Sequence, residues 1–137
     1  MIASIDFDEV HDYDLLRTGI TLPVQINLEE ETEEFEAKLD TGSTFCIFRR
    51  AHGRSIGLDL ETGLAVEIGT PTGSFRVFGH EITLKVLGLE FFSTIYFAES
   101  EYFDRNVLGR TGFLDRVKLG VVEPEGKLYL SRYQKGA

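Results

Sequence analysis

Strict period-two alternation runs through most of this chain, and it constrains the fold more than any other feature. Ile20, Leu22, Val24, Ile26 and Leu28 alternate with Thr21, Pro23, Gln25 and Asn27, the pattern of a strand with one dry face. Pro23 donates no backbone hydrogen bond, so this strand lies at an edge or turns its N–H side outward there. Leu64, Val66 and Ile68 alternate before Gly69-Thr70-Pro71-Thr72-Gly73, and Phe75 and Val77 alternate after it. That predicts a β-hairpin with a glycine-flanked, proline-stiffened tip. Ile82, Leu84 and Val86 continue the period. Beyond Gly88, apolar residues on both faces of Phe91 to Ala98 predict a central strand covered on both sides. Leu119 to Val122 and Leu128-Tyr129-Leu130 flank Glu123-Pro124-Glu125-Gly126 as a last hairpin. The acidic run Glu29 to Glu34 reads as a solvated hairpin end. Ala51 to Leu60 forms a short helix or irregular link, and Arg110 to Val117 a short helix. Many short strands with turn signals between them indicate an all-β barrel or sandwich.

At 137 residues the chain fits one domain, 1–137, with segment 1–19 outside the core. Lys and Arg total 14 against 23 Asp and Glu, a formal charge of −9. That balance argues against a nucleic-acid surface, whose affinity rests on basic side chains. Cys46 is the single cysteine, so neither an internal disulfide nor a cysteine-based zinc site is expected. His11, His52 and His80 lack metal-ligand spacing, so no metal is expected. The N-terminus has no basic-then-apolar leader pattern, and no apolar run has the length of a membrane span. A cytoplasmic protein without membrane association is the expectation.

One turn has the setting for chemistry. Glu34-Phe35-Glu36-Ala37-Lys38-Leu39 alternates and runs into Asp40-Thr41-Gly42-Ser43, after which Phe45-Cys46-Ile47-Phe48 is mostly apolar. A strand thus delivers a carboxylate into a tight turn, where hydroxyls and backbone N–H groups can hold it. An aspartate opening a plain turn is the bland alternative. Asp115 is the only other aspartate with some motif context, and it reads as solvent-facing. Cys46 reads as a small core residue.

The Asp40-Thr41-Gly42-Ser43 turn, the hairpin near Pro71 and Asn106-Val107-Leu108-Gly109-Arg110 stand in an order that resembles retropepsin-like aspartic proteases. The resemblance implies a retropepsin-like closed β-barrel, the single lobe of the acid-protease fold, with one short helix after the Val-Leu-Gly-Arg element. It implies an aspartic-type endopeptidase with Asp40 catalytic and no cofactor. Thr41, Gly42 and Ser43 would support the turn, and Gly69, Thr70, Pro71, Thr72 and Gly73 would be the flap over substrate. Val107, Leu108, Gly109 and Arg110 would pack against the site. The chemistry needs two carboxylates sharing a proton, and the chain has one such turn. The resemblance therefore implies a homodimer with Asp40 from each subunit, hydrolysing a polypeptide bound as an extended strand. Two departures stand out: Arg110 lacks the acidic partner that viral members place after the turn, and the flap has fewer glycines. A catalytically silent peptide-binding or scaffolding module is the alternative. A protease completed by a partner domain is a third reading.

Overall fold

A computed structural model describes residues 1–134. Strands β1 (Glu9–Asp12), β2 (Ile20–Leu28), β3 (Glu31–Leu39) and β4 (Ile47–Phe48) precede a six-residue helix, α1 (Arg50–Ser55). Strands β5 (Leu64–Thr70), β6 (Gly73–Val86), β7 (Leu89–Ala98), β8 (Val107–Leu108), β9 (Val117–Val122) and β10 (Lys127–Arg132) follow. Single 3-10 turns stand at Leu60–Thr62, Leu114–Arg116 and Glu123–Glu125.

The alternating segments become antiparallel pairs. Ile20 to Leu28 pairs in register with Leu39 to Glu31, so Leu22, Val24 and Ile26 are buried while Pro23 is exposed. The turn between them is only Glu29-Glu30, so the rest of the acidic run lies in β3, and Glu33 there is partly buried. Pro23 sits one residue outside the stretch where β2 also meets β6, Val24–Asn27 against Val86–Thr83. Its missing N–H therefore falls where that ladder has ended. β5 and β6 form the expected hairpin, with Thr70 opposite Gly73 and Pro71-Thr72 at the tip. β6 continues without a break to Val86 and pairs with β7 along ten positions. β7 buries Phe91, Ser93, Ile95 and Phe97, but Phe92 on its other face is 65% exposed, so double coverage holds only toward Tyr96 and Ala98.

Two short strands knit the middle. β8 lies parallel to the end of β3, Lys38 opposite Val107 and Leu39 opposite Leu108. β4 lies parallel to β7 and meets β8 antiparallel at Ile47 and Val107. The large sheet thus runs β2-β3-β8-β4-β7-β6-β5, and a second sheet runs β1-β10-β9. Within the N-terminal segment, β1 pairs with β10 and Tyr13 is buried. The main core gathers Leu22, Ile26, Phe48, Phe97, Leu108, Phe113, Leu128 and Leu130 between the sheets. A satellite cluster of Ile47, Val77 and Tyr96 lies under the β5–β6 hairpin, flanked by Phe45, Ile68 and Phe75.

This architecture corrects the expected retropepsin-like closed barrel. The strands form a curled mixed sheet of seven, with parallel pairs at β3–β8 and β4–β7, beside a separate sheet of three. β5, β1 and β9 keep outer edges, which a closed barrel lacks. The short helix expected after Val107-Leu108-Gly109-Arg110 is corrected as well, since that segment makes one 3-10 turn, Leu114–Arg116. Gly112 at φ +100° breaks the helical path, and its N–H is taken by the Asp115 carboxylate at 3.0 Å. The one α-helix among the described residues is α1, which precedes the hairpin. No helix among them is long and apolar enough to cross a membrane.

Candidate functional site

The Asp40 loop is clasped from below by the segment that follows β8. Asp40 N–H donates to Leu108 O at 2.9 Å, Arg110 N–H to Ser43 O at 2.9 Å and Thr111 N–H to Thr44 O at 2.8 Å. The approach is close because residue 109 has no side chain. A Cβ on Gly109 would lie 2.2 Å from Phe45 O and 2.7 Å from Ser43 O. Val107 and Leu108 are buried beneath, and Gly109 N–H points at the Cys46 sulfur at 3.3 Å. The structure thus brings the Asp40 turn and Val107-Leu108-Gly109-Arg110 together.

Inside the loop the side chains serve the backbone. The Asp40 carboxylate accepts the Gly42 N–H at 2.9 Å, a two-residue turn closed by its own aspartate. The Ser43 hydroxyl donates to Phe45 O at 2.8 Å and so does not reach the carboxylate. Asp40, Thr41 and Gly42 are exposed. Arg110 is also exposed, and no carboxylate among the described residues forms an ion pair with it. Asp115 is exposed, as expected, near the Arg116 guanidinium at 3.6 Å.

Cavities surround this loop. A groove of about 350 Å³ separates Gly42, Ser43 and Thr44 from Glu67, Ile68 and Gly69 of β5, with Phe45 and Ile47 also lining it. Of the expected flap, only Gly69 lines this groove; Thr70, Pro71, Thr72 and Gly73 stand beyond it, with the Thr70 hydroxyl donating to Gly73 O at 3.0 Å. A larger cavity of about 570 Å³ lies on the β3 side of Asp40, reached by Arg17, Lys38 and Arg105. A third, of about 350 Å³, is lined by Thr41, Thr44, Arg110 and Thr111.

No protein-family model and no curated protein matches this chain. The resemblance to retropepsin-like aspartic proteases is therefore corrected, since neither comparison supports it and the sheet is not the closed barrel of that fold. The aspartic endopeptidase assignment, and with it proteolysis by this chain, is corrected too. Among the described residues no three His, Cys, Asp or Glu side chains gather at one point, and no paired-carboxylate arrangement forms. The Asp40 carboxylate turns onto its own loop, and the serine expected to support it bonds elsewhere.

Several residues at this site lay outside the sequence reading. Lys38 could have been found, because it points to the polar face of a strand that ends at Asp40. Arg105 carried no signal, since residues 99–105 have neither period nor motif. Asn106 opens the element read in the sequence, but its role was not legible there: its Oδ1 accepts Arg49 N–H at 2.9 Å and its Nδ2 donates to Glu36 O at 3.2 Å, tying the loop before β8 to both neighbours.

Proposed function

We propose that this chain is a recognition module that binds a polypeptide in extended form, along the groove between the Asp40 loop and β5. The observation that carries the reading is the outer edge of β5. This seven-residue strand pairs on one side only, with β6, and its Glu67-Ile68-Gly69 stretch walls the groove. An edge strand presents unpaired N–H and C=O groups, so an extended chain adds to it with main-chain hydrogen bonds. Alternate side chains of that guest turn toward Phe45, Ile47 and Ile68, while Gly42, Ser43 and Thr44 form the facing wall. The Asp40 carboxylate, exposed and held by a single amide, accepts an N–H from the guest. A formal charge of −9 supports a polypeptide partner over nucleic acid or an anionic membrane.

A homodimer belongs to the same proposal. The outer strands of the small sheet, β1 and β9, carry exposed Val10 and Val121 and can pair with a second copy. A cytoplasmic location belongs to it too, supported by the lone buried Cys46.

The deciding experiment follows backbone amide shifts while an unstructured peptide mixture is titrated into labelled protein. Shifts centred on Gly42, Thr44, Ile68 and Gly69 are expected, and an Ile68→Asp variant should abolish them. Saturating peptide that leaves those amides unmoved removes the reading. Sedimentation as a monomer at every concentration removes the dimer, and recovery of the native protein in a membrane or secreted fraction removes the location.

A further inference from the structure

A cavity of about 370 Å³ beside α1 takes no part in the groove reading, and its charge sets it apart from the rest of the chain. Arg49, Arg50, Ala51 and Arg54 line it together with Glu101 and Phe103. Three guanidinium groups thus meet one carboxylate, on a chain whose formal charge is −9. The sequence concentrates them, since between Asp40 and Asp59 stand three arginines and no acidic residue. The cavities around the Asp40 loop show no such excess. The largest sets Arg17, Lys38 and Arg105 against Glu36, Asp40 and Asp104, and the one at Arg110 sets that arginine against Asp115.

The three arginines differ in what already holds them. Arg50 is fixed: its side chain is 11% exposed, one guanidinium nitrogen donates to Glu99 O at 3.4 Å and the other pairs with Glu61. Glu61, outside the lining, offsets that charge. Arg54 has only Glu101, at 3.9 Å, beyond hydrogen-bond distance and with both side chains mostly exposed, so the pair contributes little. Arg49 is exposed, and no carboxylate among the described residues forms an ion pair with it. Its backbone is nevertheless anchored, because its N–H donates to Asn106 Oδ1 at 2.9 Å. Phe103 is anchored too, stacked on Phe75 with centroids 5.2 Å apart.

We propose that this cavity binds a phosphate monoester. The inference stands apart from the extended-polypeptide reading above. Guanidinium forks match phosphate oxygens two at a time, and a monoester offers three such oxygens with a charge of about −1.5 to −2 at neutral pH. A carboxylate offers two oxygens and one charge, fewer than Arg49 and Arg54 together satisfy. Those two arginines close on the phosphoryl group, and Arg54 exchanges its distant Glu101 for it. Ala51 and Phe103 give the carbon side of the ester an apolar surface. The group arrives either on a phosphorylated side chain of a polypeptide or on a free phosphorylated small molecule.

Isothermal titration of the whole chain at low salt tests the site with three probes: an unstructured peptide carrying one phosphoserine, the same peptide with Glu at that position, and free O-phosphoserine. The phosphopeptide should bind about tenfold tighter than the Glu peptide, the scale of one added hydrogen bond between charged groups. Arg49→Gln and Arg54→Gln should each weaken it about tenfold, and Glu101→Gln should tighten it, with far-ultraviolet dichroism showing each variant folded. Free O-phosphoserine binding as well as the phosphopeptide supports the small-molecule source, and weaker binding supports the phosphorylated side chain. Heat from neither phosphorylated probe overturns the proposal. Equal affinity for the Glu peptide overturns it as well, because the site then reads charge alone. Phosphopeptide affinity unchanged in both Gln variants also overturns it, because the phosphate is then held elsewhere.

Discussion

Gly109 occupies a place where no side chain fits, and the obstruction is backbone on both sides. A methyl group there would meet Phe45 O at 2.2 Å and Ser43 O at 2.7 Å, and neither carbonyl belongs to a group that can rotate away. Gly109→Ala should lower stability by about 3 kcal/mol, the upper range for overpacking. A urea midpoint equal to that of the parent would mean that the two segments have slack, contrary to their three backbone hydrogen bonds. Cys46 lies against the same clasp. Burial pushes its thiol up to about 12, against a smaller downward pull from Gly109. The sign follows from proton binding. The unfolded chain loses this proton near the ordinary 9.0 while the native protein keeps it, so stability is full below pH 9.0 and falls as pH rises toward about 12. A thiol reagent at mildly alkaline pH should leave native protein unmodified and label it in urea. Rapid labelling without denaturant would contradict the buried placement. The sequence marked Cys46 as a core residue because it stands in an apolar run, whereas the packing of Gly109 against the turn came only from the resemblance. It could not assign Ser43, whose hydroxyl partner is set by the path of the Phe45 backbone.

Helix α1 is too short to be stable alone, and its docking on β3 passes through one ring. His52 stacks on Phe35 with centroids 3.9 Å apart, and its Nδ1 stands 3.8 Å from a Glu33 oxygen. The Asn106 amide lies 3.3 Å from Nε2 on the other side. Burial lowers the His52 pKa below its ordinary 6.5; Glu33 pulls upward and Arg49 pushes downward. A histidine held neutral in the native state contributes stability that is present above 6.5 and is lost as pH falls through the depressed native value. Thermal midpoints should therefore drop on going from about pH 7.5 to 5, and His52→Phe should flatten that slope while keeping the stack. An unchanged slope in the variant would assign the acid sensitivity to other groups. Elements with many alternating positions, β2, β5 and β7, were legible because each must present one apolar face. β4 and β8 were not, since two residues carry no period. In β6 the period of Phe75 and Val77 resumes at Ile82; between them Val77 and Phe78 are buried in succession beside Gly79, where the Tyr96 ring fills the space of a side chain.

Pairing partners are a property of the whole chain, and there the sequence said least. Periodicity tells which face of a strand is dry but not which distant strand lies beside it, so the parallel pairs β3–β8 and β4–β7 and the addition of β1 to the β9–β10 hairpin had no local signal. The small sheet joins the two ends of the chain, with Glu9 opposite Leu130 and Asp12 opposite Lys127. Its inner face is not a separate core, because Leu128, Leu130 and Tyr13 belong to the cluster that holds Leu22 and Phe48. The first thirteen residues should therefore be part of the same cooperative unit as the Asp40 loop. Tyr13 is buried, its N–H donates to Gly126 O at 2.9 Å and its hydroxyl to Glu123, so it fixes the turn between β9 and β10. Deleting residues 1–13 removes that aromatic ring and strips β10 of one neighbour. The cost should be about 3 kcal/mol or more, the scale of emptying a buried aromatic site. The truncated chain should unfold at a lower urea concentration, still in one transition, and associate more readily through the bared β10 edge. Two separate transitions, or an unchanged midpoint, would make the small sheet an independent appendage. The shared core of Leu128, Leu130 and Leu22 argues against that outcome, since neither sheet can lose the other without exposing the same side chains.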